Sequence, residues 1–489
     1  MKHFEYTTLS TKPYLCIYYC YLFNQKNIMR ITWIILFCLS CFSFLSAKNN
    51  PKFVYNNPPL VLTENSLSDG LGAFKTEDLP AISPKCSIEL KKDATPLTQK
   101  MWKIALHDVE LNLITNVYGT YFAAGRRYTD RVYTRDISYA GILGLNAIYP
   151  KEMMKSLMVT RDVISKMGYK VSREEVIKEI NAPWEIIAED KKDVMATYKS
   201  NSITRRTDDV VWIWAVDDLF KSHPEVADWK WFYNNGKMNF DELYAPWFDK
   251  TDGLYKAQNT FHDIQSSAYP KGYSQADCVL LKSTSTNCLY YKALLSLANA
   301  AQKSNLPEES KSWTKKAEAL KAAIKKELML PDGTFTYYKD RNGKVMPNQH
   351  NLGTAFAIIF GIVEGKEARK AIDNYPTSEF GTPLQFPFME NKGDHNQASW
   401  PFCDTFFLIA KEIADGKDYT GYNAALLART MGTKLEPIKN SEWGGFGSFH
   451  EKVPLPSGLI SGSGSQLWTS AAFMNICLRS NLVDFKNNK

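Results

Sequence analysis

The sequence lacks the marks of most common chemistries. No Gly-rich dinucleotide fingerprint follows a strand, there is no phosphate loop or Gly-x-Ser-x-Gly elbow, and His450-Glu451 has no second histidine to complete a zinc helix. Beyond the first 47 residues five cysteines remain, Cys86, Cys278, Cys288, Cys403 and Cys477. An odd number without CxxC spacing argues against a zinc site or a disulfide framework. Cys278 and Cys288 either pair across a short loop or stay buried as free thiols. A strong charge of one sign is missing too: 59 Lys and Arg against 52 Asp and Glu leave +7, scattered along the chain. Such a balance gives no reason to invoke nucleic acid.

Long apolar runs are confined to the N-terminus. From Met29 the chain reads MRITWIILFCLSCFSFLSAKNN, with one basic residue, an apolar stretch from Ile31 to Leu45, and Ser46-Ala47 before polar sequence. This is the pattern of a secretory signal. Translation starting at Met1 and at Met29 both stay open. Cys41 after Leu39-Ser40 is loosely like a lipoprotein cleavage site, although Cys38 stands where an aliphatic residue belongs. A lipid anchor and soluble export are both compatible. Downstream no run approaches the roughly 20 apolar residues that span a bilayer. The expectation is an exported protein, periplasmic, cell-surface or secreted, with residues 1–47 removed.

What is abundant is aromatic: 12 Trp, 26 Tyr and 26 Phe. Rings of this kind fill cores, and they also stack on the flat apolar faces of sugars. Residues 48–95, rich in Pro, Asn and Ser, show no sustained periodicity and are read as an irregular leader wrapping the outside. From residue 96 helical windows dominate. Leu97–Val117 places Trp102, Leu106, Val109, Leu113 and Val117 near one face. Further windows cover 136–147, 150–167, 208–221, 285–303, 307–328, 352–363, 366–373, 402–414, 419–432 and 465–480. The best strand signal is the hairpin Gly333–Val345 with Asn342-Gly343 as its turn. About a dozen helices joined as hairpins fit an all-α (α/α)6 toroid over residues 96–489, with long aromatic and acidic loops. A helical solenoid is the alternative, but no 34-residue or 40-residue period supports it.

Two loop segments carry acids among rings. DGLYKAQNTFHDIQSSAYP, residues 252–270, holds Asp252, Gln258, His262 and Asp263. A carboxyl packed among rings is poorly solvated and holds its proton near neutral pH, as a general acid must. Capping a helix or lying on the surface would explain Asp263 equally well. EWGGFGSFHEKVPLPSGLISGSGSQLWTSAAF, residues 442–473, sets Glu451 ahead of a Gly/Ser/Pro-rich loop and a helix opening with Gln466, Leu467 and Trp468.

Together these segments resemble the six-hairpin glycosidases: trehalases, glycoside hydrolase family 63, mannosylglycerate hydrolases and the C-terminal glucosidase domain of glycogen debranching enzymes. YTRDISYAG, residues 133–141, resembles their Arg-Asp segment at the terminal sugar site, and HNQASWPF, residues 395–402, resembles a His-Asn-Gly-x-Trp-Pro segment. The resemblance spans about residues 98–482. It implies Asp263 as general acid and Glu451 as general base, on opposite sides of the scissile bond and about 6.5 to 9.5 Å apart, giving inversion. It further implies sugar contacts from Arg135 and Asp136, which otherwise form a structural ion pair. Asp209, with Asp208, either binds sugar or caps a helix. His395 and His450 donate to hydroxyls or satisfy loop carbonyls, and Trp400, Trp443 and Trp468 stack or fill the core. Gln258, His262 and Gln466 complete the candidate contacts. The acid segment departs from the Glu-Ser-Gly-Trp-Asp of trehalases and family 63, so sugar identity does not carry over.

The leading expectation is an exo-acting, inverting hydrolase of a terminal α-linked glucoside or mannoside. A polysaccharide lyase or sugar epimerase on the same toroid, or a carbohydrate-binding protein without catalysis, are the alternatives. No cofactor or metal is implied, and the sequence leaves open whether Ca²⁺ supports the fold.

Overall fold

Pro96 at the first helical position and the Thr95 side chain, which accepts the Thr98 N–H at 3.2 Å, start helix α1, Pro96–Glu110. This is a computed structural model, and it describes residues 60–116, 119–128, 132–166, 207–241, 245–262, 266–273, 275–378, 380–433, 444–455 and 457–485. Twelve principal helices stand among the described residues. After α1 come α2 (Thr134–Ala140, continued by a wider turn over Gly141–Leu145 and by Asn146–Ile148), α3 (Pro150–Lys166) and α4 (Thr207–Ser222). Then follow α5 (Trp229–Asn239), α6 (Thr284–Lys303), α7 (Pro307–Leu328) and α8 (Asn351–Ile359). The series closes with α9 (Gly365–Asp373), α10 (Pro401–Asp415), α11 (Thr420–Arg429) and α12 (Leu467–Arg479).

Burial separates them into two rings. In α7 only Trp313, Ala317, Leu320, Ile324 and Leu328 are buried, one stripe of an otherwise solvated helix. In α8 every residue from Asn351 to Ile358 is buried, and in α12 every residue from Leu467 to Met474. A helix apolar on all sides must be covered on all sides. The even-numbered helices form that inner ring: α2 packs on α4, α4 on α6, α6 on α8, α8 on α10, α10 on α12, and α12 returns to α2. The odd-numbered helices lie outside, so the chain is an all-α toroid of six hairpins. The solenoid alternative fails because the last inner helix closes on the first.

Some boundaries differ from the sequence reading. The first window stops at Glu110, and Leu113–Asn116 pairs with Gly119–Phe122 as an antiparallel ribbon, Leu113 opposite Phe122. Two β-branched residues, Ile114 and Thr115, and the Gly119 turn at φ +111° favour that ribbon over more helix. Helix α5, which the windows omit, is started by Asp228 accepting the Trp231 N–H at 2.9 Å. The Asn342-Gly343 turn is present, with Lys339 opposite Val345, but Tyr338–Lys339 also pairs with Lys282–Ser283. Cys278 and Cys288 are buried free thiols.

Residues 60–90 are more structured than an irregular leader. Val61–Leu62, Ser66–Ser68 and Ala73–Lys75 form a three-stranded antiparallel sheet that buries Leu67 and Phe74, and Glu89–Leu90 pairs with Val483–Asp484. Asp69 anchors this segment through a fully buried ion pair with Arg429 at the end of α11. Residues 1–47, where the signal is expected, lie outside the described residues. No described helix is long and apolar enough to cross a membrane.

Candidate active site

Connection lengths decide where chemistry can sit. Each inner helix is followed almost at once by the next outer one, as at Tyr149 between α2 and α3. Each outer helix reaches the next inner one only through a long connection. The described long connections therefore gather at the N-terminal ends of the inner helices, forming a mouth at that end of the toroid. The connections are laced together. Gln349–His350 pairs with Gln385–Phe386, and Ala398–Ser399 pairs with Val453–Pro454. The Leu467 N–H bonds the Ala124 carbonyl at 3.0 Å, joining the last connection to the first. All the described candidate residues lie on these connections or the first inner-helix turns.

Glu451 lies on a ribbon. The Gln466 N–H donates to the Phe449 carbonyl at 2.9 Å, and Lys452 and Ser461 exchange N–H to carbonyl bonds at 3.2 and 3.0 Å. Between these rungs the Glu451 carboxylate accepts the Ser463 N–H at 3.2 Å. The residue is 6% exposed, and burial pushes its pKa up against the opposing pull of Lys452 and Arg127. Gly462, at φ +84°, leaves the carboxylate its space, because an added Cβ would lie 2.7 Å from the Glu451 Cβ. A buried carboxylate with raised proton affinity is equipped to take a proton from water.

Arg135 and Asp136 open α2, one inner helix away. Arg135 is 6% exposed and donates to Asp208 at 3.1 Å, with Asp136 3.9 Å from its other terminal nitrogen. Asp208 and Asp209 are buried within the first turn of α4 and follow Thr207, so they are not the helix cap. Of these two candidate acids, Asp208 is the one that accepts from Arg135 at 3.1 Å. Tyr128 stands close enough for Glu451 to add to the burial that raises its phenol pKa.

The third group surrounds Phe261, which holds a left-handed backbone at φ +54° unusual for a bulky residue. Its ring lies 4.4 Å from His262, 5.6 Å from His395, 5.1 Å from Trp400 and 6.3 Å from Trp468. His262 and His350 share a 2.7 Å contact between their Nε2 atoms. Asn259 assigns the protons: its Nδ2 donates to the Thr260 carbonyl at 3.2 Å and to His350 Nε2 at 3.0 Å, while its Oδ1 accepts from Ser285. His350 therefore accepts at Nε2, and His262 donates to it. Burial keeps both neutral, with the His350 pKa pushed down to about 3 and that of His262 well below its ordinary value. His450 donates from Nδ1 to the Thr430 and Ser448 carbonyls, both at 2.9 Å, so one nitrogen serves the loops. Trp400 donates to the Asp394 carbonyl at 2.9 Å, and Trp468 stacks on Phe402 at 4.2 Å.

Several polar atoms here have no partner. Both amide atoms of Gln258 and of Gln466, Nδ1 of His262 and of His350, Nε2 of His450 and the Trp468 indole N–H are buried and unbonded. Proteins rarely leave such groups dry, since each costs roughly 1 to 3 kcal/mol. A ligand rich in hydroxyls would answer both the donors and the acceptors.

Asp263 and Trp443 lie outside the described residues. Asp252, in the same segment as Asp263, is committed to Lys282 at 2.6 Å and Lys339 at 3.1 Å. His350, Asn259 and Ser463 join the site without having been singled out as contacts. His350 precedes α8 in the same position that Trp400 precedes α10, a regularity visible once the helices are aligned. Among the described residues no group of three or more His, Cys, Asp or Glu is placed to hold a metal ion.

Residues 185–408 match the family model of the mannosylglycerate hydrolase MGH1-like glycoside hydrolase domain. Among solved structures, a wild-type glycosidase is similar at 12% identity with a TM-score of 0.52, covering 78% of this chain and 97% of its own. A variant glycosidase in complex with glucose gives 12% identity, the same TM-score and the same coverage. A sialidase gives 11% identity and a TM-score of 0.53 over 91% of this chain and 37% of its own. At such identities these structures speak for the fold alone. No curated protein matches the chain.

Proposed function

We propose that this chain, whose residues 185–408 match a glycoside hydrolase domain on an (α/α)6 toroid, is an exported, exo-acting, inverting hydrolase of a terminal α-linked glucoside or mannoside. The observation that carries the mechanism is Glu451, buried at the mouth beside a set of unbonded polar atoms. In this reading Glu451 removes a proton from a water, the water oxygen attacks the anomeric carbon, and Asp263 protonates the departing glycosidic oxygen. An inverting pair must leave about 6.5 to 9.5 Å for that water. Arg135, with its rigid fork of donors, and Asp136 bind hydroxyls of the terminal sugar. Gln258, His262, His395, His450 and Gln466 supply further donors and acceptors, and Trp400, Trp443 and Trp468 its apolar walls. A glucoside or mannoside is favoured by the mannosylglycerate hydrolase character of the matching domain. Export follows from the N-terminal sequence, with a lipid anchor at Cys41 as the variant of that reading.

The test is hydrolysis of α-glucosides, α-mannosides, trehalose, mannosylglycerate and α-rhamnosides, with Asp263→Asn and Glu451→Gln alongside and the product anomer followed by NMR. Turnover lost in both variants, with the inverted anomer from the parent, supports the reading. Retention at the anomeric carbon, or full activity in Glu451→Gln, removes it.

A further inference from the structure

The ribbon that carries Glu451 has an open end, and one buried acid from the far side of the sequence closes it. We propose that Asp108, on α1, is a positioning residue that clamps this ribbon and so holds Glu451 in register with Ser463. The inference rests on the reading of Glu451 as general base.

Asp108 is 2% exposed. One carboxylate oxygen accepts the Phe449 N–H at 2.8 Å, and the other accepts the Ser465 hydroxyl at 2.7 Å. The Ser470 hydroxyl of α12 is 3.5 Å away. Phe449 lies two residues before Glu451 and Ser465 two residues after Ser463, so one carboxylate grips both strands at equal distance from the Glu451 to Ser463 bond. Asn112, one turn beyond Asp108, adds a second hold by donating to the Ser465 carbonyl at 2.6 Å. Ser465 needs holding: its φ is +44°, a conformation in which a residue with a side chain persists only when its surroundings impose it.

The clamp's three donors are neutral, and Arg126 is the charged group whose attraction opposes its burial. Burial nonetheless pushes Asp108 up to about 7. Keeping an acid there at such cost, where an apolar residue would pack, is reasonable only if the two strands need a shared acceptor.

Removing the clamp should loosen the ribbon, admit water to Glu451 and relax the burial that raises its pKa. Lys452, Arg127, Asp394 and Tyr128 face Glu451 and stay in place in such a variant. In Asp108→Ala, kcat should fall ~10-fold to 100-fold, the scale of a misplaced catalytic group, with KM within about threefold because sugar contacts are untouched. The acid limb of the kcat profile should also move to lower pH. Asp108→Asn should restore most of kcat, since its amide accepts from Phe449 and donates to Ser465. If Asp108→Ala does not fold, Ser465→Ala, which removes one half of the grip, should shift the same limb in the same direction. A parent-like kcat in folded Asp108→Ala, or an unmoved acid limb in both variants, overturns the proposal. Glu451→Gln measured in parallel separates the failures: if it remains active, the base assignment falls and this inference with it.

Discussion

Gly462→Ala tests the Glu451 assignment without removing any functional group. The added methyl would sit 2.7 Å from the Glu451 Cβ and 3.2 Å from its carboxyl carbon, with one carboxylate oxygen closer still. Carbon atoms in contact prefer about 3.5 to 4.0 Å, so the side chain must retreat by about 1 Å. The backbone also resists: Gly462 has φ +84°, where an alanine costs roughly 1 to 2 kcal/mol. Retreat breaks the bond from the Ser463 N–H and takes the base away from its water. A displacement of that size is worth about 100-fold in rate, or ~2.7 kcal/mol of barrier. The assay is steady-state hydrolysis of the best substrate with thermal unfolding of the same preparations. Gly421→Ala, on the outer helix α11 with open space around it, serves as the neutral control. The expected result is a folded Gly462→Ala protein with kcat reduced about 100-fold and KM little changed. Parent-like kcat in that folded variant would refute the reasoning, because no water-activating carboxylate tolerates such a shift.

Asp69→Ala removes the buried partner of Arg429, whose guanidinium also holds the Gly458 carbonyl in the loop after Glu451. Breaking such a pair costs about 3 to 5 kcal/mol. Hydrogen exchange should rise in residues 444–460 before the inner helices open, and unchanged exchange there would contradict the anchoring role. Gln258→Leu replaces an amide that is buried and unbonded in the free protein. It should leave the melting temperature equal or higher while lowering kcat/KM at least 10-fold, as for a lost hydrogen bond to substrate; parent-like kcat/KM would remove Gln258 from the site. Glu451 has a raised pKa, so its contribution to stability is present below the ordinary carboxylate range and is lost as pH rises through the folded value. Glu451→Gln should therefore melt above the parent at pH 8, with the gap closing toward pH 4. An equal gap at both pH values would show that the carboxylate is solvated.

The periodicity of the chain was enough for eleven of the twelve principal helices among the described residues, because burial on one face or on all faces leaves a local imprint every three to four residues. Trp313, Ala317, Leu320, Ile324 and Leu328 can be read off directly. Failures came where a local signal was ambiguous, as at Leu113, whose apolar side chain suits a strand as well as a helix. Glu451 lies on the connection ahead of the Gly-rich loop where the sequence sets it, and Asp263 lies outside the described residues. What no local pattern contains is pairing. Arg135 chooses Asp208 over its neighbour Asp136 as its nearer partner, His262 meets His350, Asp69 reaches Arg429, and Asp108 grips Phe449 and Ser465. Each contact joins residues far apart in sequence, and it exists because the closed ring brings their segments together. The sequence by itself determined which residues could do chemistry and on which loops they travel. The tertiary structure decided which of them meet, because contact and burial depend on the closed path of the whole chain.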